Sequence, residues 1–207
     1  MKKKNIFAAS FLFLTMPVLL LLHRPRFIGT QNIPKGGGYI IAANHLLALD
    51  AFYVALGCQK SIHFMAKSEL FKFPLFNIFF RSLKAFPVKR GFFDRGALKE
   101  AEAVVENGEV LGIFPEGARS LVDGKPKKAK WGVAYIANNC KCDVVPASLF
   151  CTKGSKPFSK LTVRFGTPIK FDELNLDENS GKAELTAAAD MIMTKINELW
   201  EKGHERN

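Results

Sequence analysis

From Tyr39 onward, short apolar runs with strand-like character alternate with segments of helical periodicity. This alternation constrains the possible folds of the chain more than any other feature of the sequence. Strands interleaved with helices are typical of α/β proteins, in which helices cover the faces of a sheet. The pattern therefore predicts an α/β domain. The predicted strands are Tyr39–Ala43, 62–66, 110–114, 143–150 and Leu161–Phe165, and the predicted helices are 48–56, 94–107, 130–138 and 180–203.

The helix predictions rest on end signals and on apolar spacing. Asp94 is a typical N-cap, Gly108 follows the last periodic residue of that helix, and Gly57 is expected to end the helix at 48–56. The helix at 180–203 has one apolar face, which we expect to pack against the sheet. Its apolar residues are Leu185, Ala189, Ile192, Ile196 and Leu199.

The region 1–28 differs in character from the rest of the chain. Residues 6–22 carry no charge and lie between Lys2–Lys4 and the basic group His23, Arg24 and Arg26. As a helix this run would extend about 25 Å, slightly less than the ~30 Å hydrocarbon core of a bilayer. No small-residue cleavage site follows it, which favours an uncleaved N-terminal membrane-anchoring helix over a signal peptide. Spanning, shallow and re-entrant arrangements all remain open.

Charge and cysteine content limit the classes of partner. With 207 residues, 48% of them hydrophobic, the chain has enough apolar material for one domain core, and its net charge of +11 indicates an anionic partner. That partner could be nucleic acid, an acidic membrane surface or a phosphate-rich substrate. The cysteines, which include no CxxC pair, are expected to be reduced thiols rather than metal ligands: Cys58, Cys140, Cys142 and Cys151.

His45 and Asp50 follow the first predicted strand at a spacing of five residues. Five residues of a regular helix turn through about 500°, so these side chains would point to different faces if both were within one helix. If His45 lies in the strand-to-helix turn and Asp50 in the first turns of the helix, the carboxylate can reach Nδ1. That contact would fix the tautomer and leave Nε2 free to act as a base. Alone, such a pair is more often a local cap or a satisfied surface histidine than a catalytic dyad.

A second motif occupies residues 114–120, which read FPEGARS. It follows another predicted strand, and a Pro, an acid, a Gly and an Arg in one strand-end loop would suit an anion site. The alternative is a turn with an exposed ion pair. Loops at the ends of neighbouring strands are the usual location of α/β active sites, so the two motifs are expected to meet.

Together, the Asn44-His45 and Asp50 pattern and the FPEG motif resemble the glycerolipid acyltransferase family, which includes 1-acylglycerol-3-phosphate acyltransferases. Residues 67–71 with Pro74, residues 88–90 and residues 145–147 resemble further blocks of that family in the same order. The resemblance extends over about residues 29–170 and divides the chain into an anchor at 1–28 and an acyltransferase domain at 29–207. Three positions depart from the family pattern: Leu47, Asn77 and Ala118.

The resemblance implies a single α/β domain with a central mixed sheet flanked by helices. It implies transfer of a fatty acyl group from acyl-CoA or acyl carrier protein to the sn-2 hydroxyl of 1-acylglycerol-3-phosphate, giving phosphatidate, with no cofactor and no metal. His45 would be the general base and Asp50 its partner. The remaining site residues would bind the acceptor: Arg90 and Arg119 its phosphate, and Glu116 and Gly117 its glycerol part, with Glu116 binding hydroxyls or ordering an arginine.

The expected partners are a phospholipid membrane, a lysophospholipid acceptor and the acyl donor, and the expected location is the cytoplasmic face of the inner membrane. The basic residues Lys125, Lys127, Lys128 and Lys130 could contact the donor or anionic lipid, or form a solvated loop. The apolar stretch 71–80 could be core or could dip into lipid.

Several functional alternatives remain. The acceptor could be another lysophospholipid or a lyso-aminolipid, and the same dyad could activate water in a lipid hydrolase. No Gly-x-Ser-x-Gly motif supports a serine hydrolase. A non-enzymatic basic protein would leave both motifs unexplained, and no nucleic-acid-binding motif is present, so nucleic acid is not expected as a partner.

Overall fold

The computed structural model describes residues 20, 23–89, 94–120, 125–152 and 158–205. Its strands are β1 (Arg26–Ile28), β2 (Tyr39–Ala43), β3 (Ile62–Lys67), β4 (Phe86–Val88), β5 (Val110–Ile113), β6 (Val144–Cys151) and β7 (Leu161–Phe165). The helices with described bounds are α1 (Asp50–Cys58), α2 (Pro74–Ser82), α3 (Arg95–Glu106), α4 (Gly132–Cys140) and α5 (Lys182–Glu201). Short 3-10 turns lie at Thr30–Asn32, Ser68–Phe71 and Phe171–Leu174.

The strands form one mixed sheet in the order β1-β7-β6-β2-β5-β3-β4. The strands from β6 to β4 in this order run parallel to one another, whereas β7 is antiparallel to β6 and β1 is parallel to β7. The predicted α/β domain with a central mixed sheet is therefore confirmed. Because β2 and β5 are adjacent and parallel, the loops that follow them emerge at the same edge of the sheet.

Helices cover both faces of the sheet, which explains why β2 is apolar without alternation. All five residues of β2 are buried. Ile40 and Ala42 pack with α3, α4 and α5 on one face, and Ile41 and Ala43 pack with α1 on the other. A parallel strand buried on both sides is expected to be continuously apolar. The predicted bounds of β2 are correct for this reason.

The ends of α1 differ from the prediction. The helix begins at Asp50 and continues through Gly57 to Cys58, and Gln59 takes the left-handed conformation that follows it, with φ of 55°. Gly57 is required by packing, because a Cβ there would lie 2.4 Å from Phe27 Cδ1 and 2.9 Å from Phe165 Cε2. The predicted stop at Gly57 is therefore wrong, since a close contact between elements, not a turn, selects this glycine.

The α3 prediction is confirmed in its cap and its length. The Asp94 side chain accepts a hydrogen bond from the backbone N–H of Ala97 at 3.1 Å, and Gly108 has a φ of 72° just beyond the helix end. The bounds of α4 differ from the prediction: this helix begins at Gly132 and ends at Cys140, and each end lies two residues later than expected. The edge strand β1 was not predicted, because three residues are too short to show periodicity.

Within the described part of the chain, no helix is both long enough and apolar enough to cross a bilayer. The predicted membrane segment at 6–22 lies almost entirely outside the described residues.

Candidate active site

The turn after β2 is fixed by a buried asparagine. The Asn44 side chain donates to the carbonyl of Leu149 at 3.0 Å and accepts from the N–H of the same residue at 2.7 Å. This two-point link ties the turn to β6 and satisfies a fully buried amide. The next residue, His45, therefore starts from a fixed backbone position at the sheet edge.

His45 and Asp50 are in direct contact in the arrangement that their spacing predicts. His45 Nδ1 lies 2.8 Å from Asp50 Oδ2, with Asp50 as the first residue of α1 and His45 in the turn before it. The same oxygen accepts from the backbone N–H groups of Leu46 and Leu47, the latter at 2.7 Å. These N–H groups belong to the turn before α1, and the helix dipole also favours a negative charge on Asp50 as the first residue of α1. Burial raises the pKa of the Asp50 carboxyl, and the three donors oppose that rise.

The imidazole is oriented by its partner and by aromatic stacking. Because Oδ2 is an acceptor, it favours the tautomer with the proton on Nδ1, which leaves Nε2 unprotonated. The ring stacks on Phe114 with centroids 4.2 Å apart and planes 14° apart, and Phe114 stacks in turn on Phe64 at 5.5 Å. The His45 ring, in the loop after β2, therefore lies parallel to and against the ring of Phe114, the first residue after β5.

Glu116 joins the two motif loops through three hydrogen bonds. One carboxylate oxygen accepts from the backbone N–H of His45 at 2.7 Å, and the other accepts from the Ser120 hydroxyl at 2.6 Å and the Lys127 N–H at 2.9 Å. The N–H of Ser120 also donates to the His45 carbonyl at 2.7 Å. His45 is therefore bound through both ends of its backbone to the loop after β5.

The structure shows a backbone-positioning contact of Glu116 that the sequence did not predict. Its three partners among the described residues are two backbone N–H groups and a serine hydroxyl, and its side chain is buried. A carboxylate offers about four acceptor positions, so little of it is left for a substrate hydroxyl. Through its contact with the backbone N–H of His45, Glu116 holds the predicted base in place.

Gly117 is needed both for its backbone conformation and for a close contact. Its φ of 71° is in the left-handed region, and a Cβ there would lie 2.9 Å from the ammonium nitrogen of Lys130. The N–H of Lys130 donates to the carbonyl of Pro115 at 2.9 Å. The Lys130 side chain is therefore held directly over the motif turn.

A cleft of about 380 Å³ opens beside His45. Its polar lining groups include Lys89, Asp94 and Lys130, and the N-terminal turn of α4 also borders it. Helix N-termini and lysines attract anions, whereas apolar walls suit a hydrocarbon chain. The apolar walls are Met65, Val88, Ala97, Leu98, Ile113, Phe114, Pro115, Trp131 and Val133.

Of the two predicted phosphate-binding arginines, Arg119 is not part of this lining. Arg90 lies outside the described residues, and Arg119 is exposed, with its carbonyl accepting from the Lys127 ammonium at 3.0 Å. Among the described residues the cations that line the cleft are Lys89 and Lys130, which the sequence did not single out as ligands of the acceptor phosphate. The available signal was that Lys130 stands just before the start of α4, where a bound anion would also meet a helix N-terminus.

The cysteines are free, with three buried and Cys140 partly buried. Burial raises the pKa of Cys142 to about 12, so this thiol stays protonated. Among the described residues no group of His, Cys, Asp and Glu side chains is arranged to hold a metal ion.

Comparisons with known proteins agree with this site. A family model described as Acyltransferase matches residues 24–149, a span that contains both motif loops. The 1-acyl-sn-glycerol-3-phosphate acyltransferase of Bacillus subtilis is 29% identical over 176 residues, covering 83% of this chain and 86% of that protein. The protein of the same name from Streptococcus pneumoniae is 29% identical over 179 residues, covering 84% of this chain and 65% of its own length.

A solved structure is also similar over nearly the whole chain. The crystal structure of the 1-acyl-sn-glycerophosphate (LPA) acyltransferase from Thermotoga maritima matches with a TM-score of 0.68 and 27% sequence identity. The match covers 96% of this chain and 83% of that one.

Proposed function

The chain belongs to the Acyltransferase family and is an O-acyltransferase, and from that premise we propose that its acceptor is 1-acylglycerol-3-phosphate. The enzyme would transfer a fatty acyl group from acyl-CoA or acyl carrier protein to the sn-2 hydroxyl, giving phosphatidate. The names of its relatives support this acceptor. The proposed reaction uses no cofactor and no metal.

The observation that carries the proposal is the 2.8 Å contact between His45 and Asp50 at the wall of the cleft. In the proposed reaction Nε2 of His45 removes the proton of the acceptor hydroxyl as its oxygen attacks the thioester carbonyl. Asp50 stabilises the imidazolium that forms. Collapse of the tetrahedral intermediate breaks the carbon–sulfur bond, and the departing thiolate takes the proton back from His45. No covalent acyl-enzyme is required.

The charges beside the dyad support an anionic acceptor. Lys89 and Lys130 line the cleft together with the start of α4, and their positive charges would bind the phosphate of the lysophospholipid. Arg90 and Arg119 remain proposed as further phosphate ligands. The acyl chain of either substrate would lie along the apolar walls.

The donor is proposed to approach over the basic loop that precedes Lys130. Lys125, Lys127 and Lys128 are exposed, so their ammonium groups are accessible to the phosphates of CoA or to the acidic surface of an acyl carrier protein. The region 1–28 is proposed to anchor the enzyme at the cytoplasmic face of the inner membrane.

The proposal is tested by incubating the detergent-extracted full chain with labelled acyl-CoA or acyl carrier protein and a panel of acceptors. The panel holds lysophosphatidate, neutral and zwitterionic lysophospholipids, a lyso-aminolipid and a sample without acceptor. We expect transfer to lysophosphatidate by the wild type and its loss in His45→Ala. The matched control is His63→Gln, which should retain transfer because His63 lies near the start of β3, at the opposite edge of the sheet from His45. Transfer by His45→Ala equal to wild type would exclude the dyad, and release of free fatty acid without acceptor would indicate a hydrolase.

A further inference from the structure

Large apolar side chains are exposed in one stretch of the chain. Within the described residues five such side chains are exposed, and three of them are Leu70, Phe73 and Ile78, with exposed fractions of 38%, 62% and 57%. Leu70 lies on the 3-10 turn after β3, Phe73 in the bend that follows this turn, and Ile78 on α2. An exposed apolar group of this kind marks an interaction site more often than a chance cluster.

Contacts between the 3-10 turn and α2 fix the arrangement of these exposed side chains. The Asn77 amide donates to the carbonyl of Phe71 at 3.0 Å, and Arg81 donates to the Asn77 oxygen at 2.9 Å. The Arg81 guanidinium also lies over the Phe71 ring, 5.8 Å from its centre, and this ring is buried. The turn and α2 are thus joined as one unit, which presents Phe73 and Ile78 to solvent in a defined arrangement.

Cations accompany these apolar side chains. Lys72 and Arg81 are exposed, and the one carboxylate of the same stretch, Glu69, is already paired with Lys67 at 3.0 Å. The surface formed by Leu70, Lys72, Phe73, Ile78 and Arg81, called here the α2 surface, therefore combines apolar side chains with a net positive charge. This is the chemistry of segments that lie at the interface of an anionic bilayer.

The α2 surface lies in the chain between two strands that line the cleft. The chain enters it from β3, whose Met65 lines the cleft, and leaves it into β4, whose Val88 also lines the cleft. With nine residues, α2 is about 14 Å long, which is far too short to cross a bilayer and suits a helix lying flat upon one. A bilayer at this surface would contact the segment that links two strands of the cleft wall.

We propose that the α2 surface docks the enzyme on an anionic phospholipid bilayer, separately from the N-terminal region, with Phe73 and Ile78 inserted among the lipids and Lys72 and Arg81 at the headgroups. The inference deepens the proposed function, because it says how a lipid acceptor reaches the cleft. Membrane contact can nevertheless be measured without any substrate.

The direct test places an indole on the α2 surface of the full chain. Phe73→Trp and Ile78→Trp are mixed with phosphatidylglycerol vesicles that carry brominated acyl chains, which quench tryptophan fluorescence at short range. The wild type gives the background of its two tryptophans, and Lys182→Trp, at an exposed position on α5, is the matched control. We expect extra quenching at positions 73 and 78 and none at 182. Vesicle binding without extra quenching at either position would overturn the proposal and assign the surface to another partner, such as a second copy of the chain. Absence of vesicle binding would overturn it equally.

The charge requirement is tested with a double variant. Lys72→Glu with Arg81→Glu should weaken partitioning onto anionic vesicles at least about tenfold, since each cation near such a surface contributes about fivefold. Lys182→Glu with Lys202→Glu, which changes the net charge equally at exposed positions of α5 and just after it, should weaken it much less. Equal loss in both pairs would show that net charge alone acts and would refute a specific surface. Lys72→Gln with Arg81→Gln repeats the test without adding carboxylates.

A soluble substrate separates this proposal from the proposed function. Acyl transfer to a short-chain, monomeric lysophosphatidate should be unchanged within about twofold in the α2 surface variants, whereas transfer to vesicle-bound acceptor should fall with the partitioning. Failure of the wild type on the short-chain acceptor counts against the proposed acceptor only. Equal loss on both substrates counts against docking.

Discussion

Asp50→Asn separates the charge of the carboxylate from its shape. All three N–H donors in the site share the single oxygen Oδ2, so the amide oxygen of an asparagine can accept the same three hydrogen bonds. His45 should therefore keep its orientation and tautomer. The change is that a neutral group now faces the imidazolium that forms during acyl transfer.

The expected result is a lower kcat with little change in KM. Removing the charge partner of a general base typically costs about a hundredfold or more in rate, and a hundredfold corresponds to about 2.7 kcal/mol of transition-state stabilisation. Asp50 is fully buried and does not line the cleft, so substrate binding should not change. Asp50→Ala is the matched deletion. It should lose at least as much activity and also unfold more easily, because the Leu46 and Leu47 N–H groups lose their acceptor, at about 1–3 kcal/mol for each one left unpaired.

The same variant has a predictable pH signature. Burial raises the pKa of Asp50 in the folded protein, so the folded state holds this proton more tightly than the unfolded state does. The contribution of the group to stability is therefore full at low pH and is lost as pH rises through the folded pKa. Asparagine does not titrate. Thermal unfolding measured from about pH 4 to pH 8 should show that the Tm of Asp50→Asn increases relative to the Tm of the wild type as pH rises.

Two outcomes would refute this reasoning. A kcat within about threefold of wild type, measured by initial rates on a variant with intact circular dichroism, would mean that the Asp50 charge does not support catalysis. If the Tm of Asp50→Asn stays constant or falls relative to that of the wild type as pH rises, the hydrogen bonds outweigh burial in setting the pKa of this carboxyl.

Glu116→Gln leaves one of three donors without an acceptor, so we expect about 1–3 kcal/mol of lost stability by thermal denaturation and about tenfold lower kcat, because the backbone of His45 is less firmly held. Gly117→Ala requires a left-handed alanine, at about 1–2 kcal/mol, and displaces Lys130, which should raise KM for an anionic acceptor in steady-state assays. Gly57→Ala forces a methyl group against two aromatic rings and should lower stability by about 1–3 kcal/mol in denaturant titrations without changing KM.

Gly36→Ala is the control for Gly57→Ala, because it adds the same methyl group at a glycine without close neighbours. Gly36→Ala adds a methyl group where nothing lies within 4 Å, so its unfolding midpoint should stay close to that of the wild type. If it falls as far as that of Gly57→Ala, packing at Gly57 is not the cause. Unchanged KM for Gly117→Ala would argue against an acceptor role for Lys130.

Local patterns determined what the sequence could predict. The bounds of β2 and the Asp94 cap followed from a buried apolar run and from cap chemistry, which depend on neighbouring residues only. The contact between His45 and Asp50 was predictable because helix geometry excluded the alternative in which both lie within one helix. That reasoning placed the two side chains but could not assign their chemical role.

The remaining features depend on contacts between distant segments. Glu116 accepts from the backbone of a residue 71 positions earlier, and nothing in its own loop indicates that partner. Gly57 has the local appearance of a helix stop, and only the rings of Phe27 and Phe165 explain why it lies inside α1. In the same way, Lys130 was one lysine of a basic run until the fold placed it over Gly117.

The position of β1 in the sheet has a consequence during synthesis of the chain. This strand lies at the edge and pairs with β7, with Arg26 opposite Thr162, so its partner is translated long after it. At about 5–20 residues per second, β1 waits on the order of ten seconds with its backbone unpaired. An unpaired strand can join another nascent chain, and charged residues at such an edge discourage this. The exposed Arg24 and Arg26 provide that protection where it is needed longest.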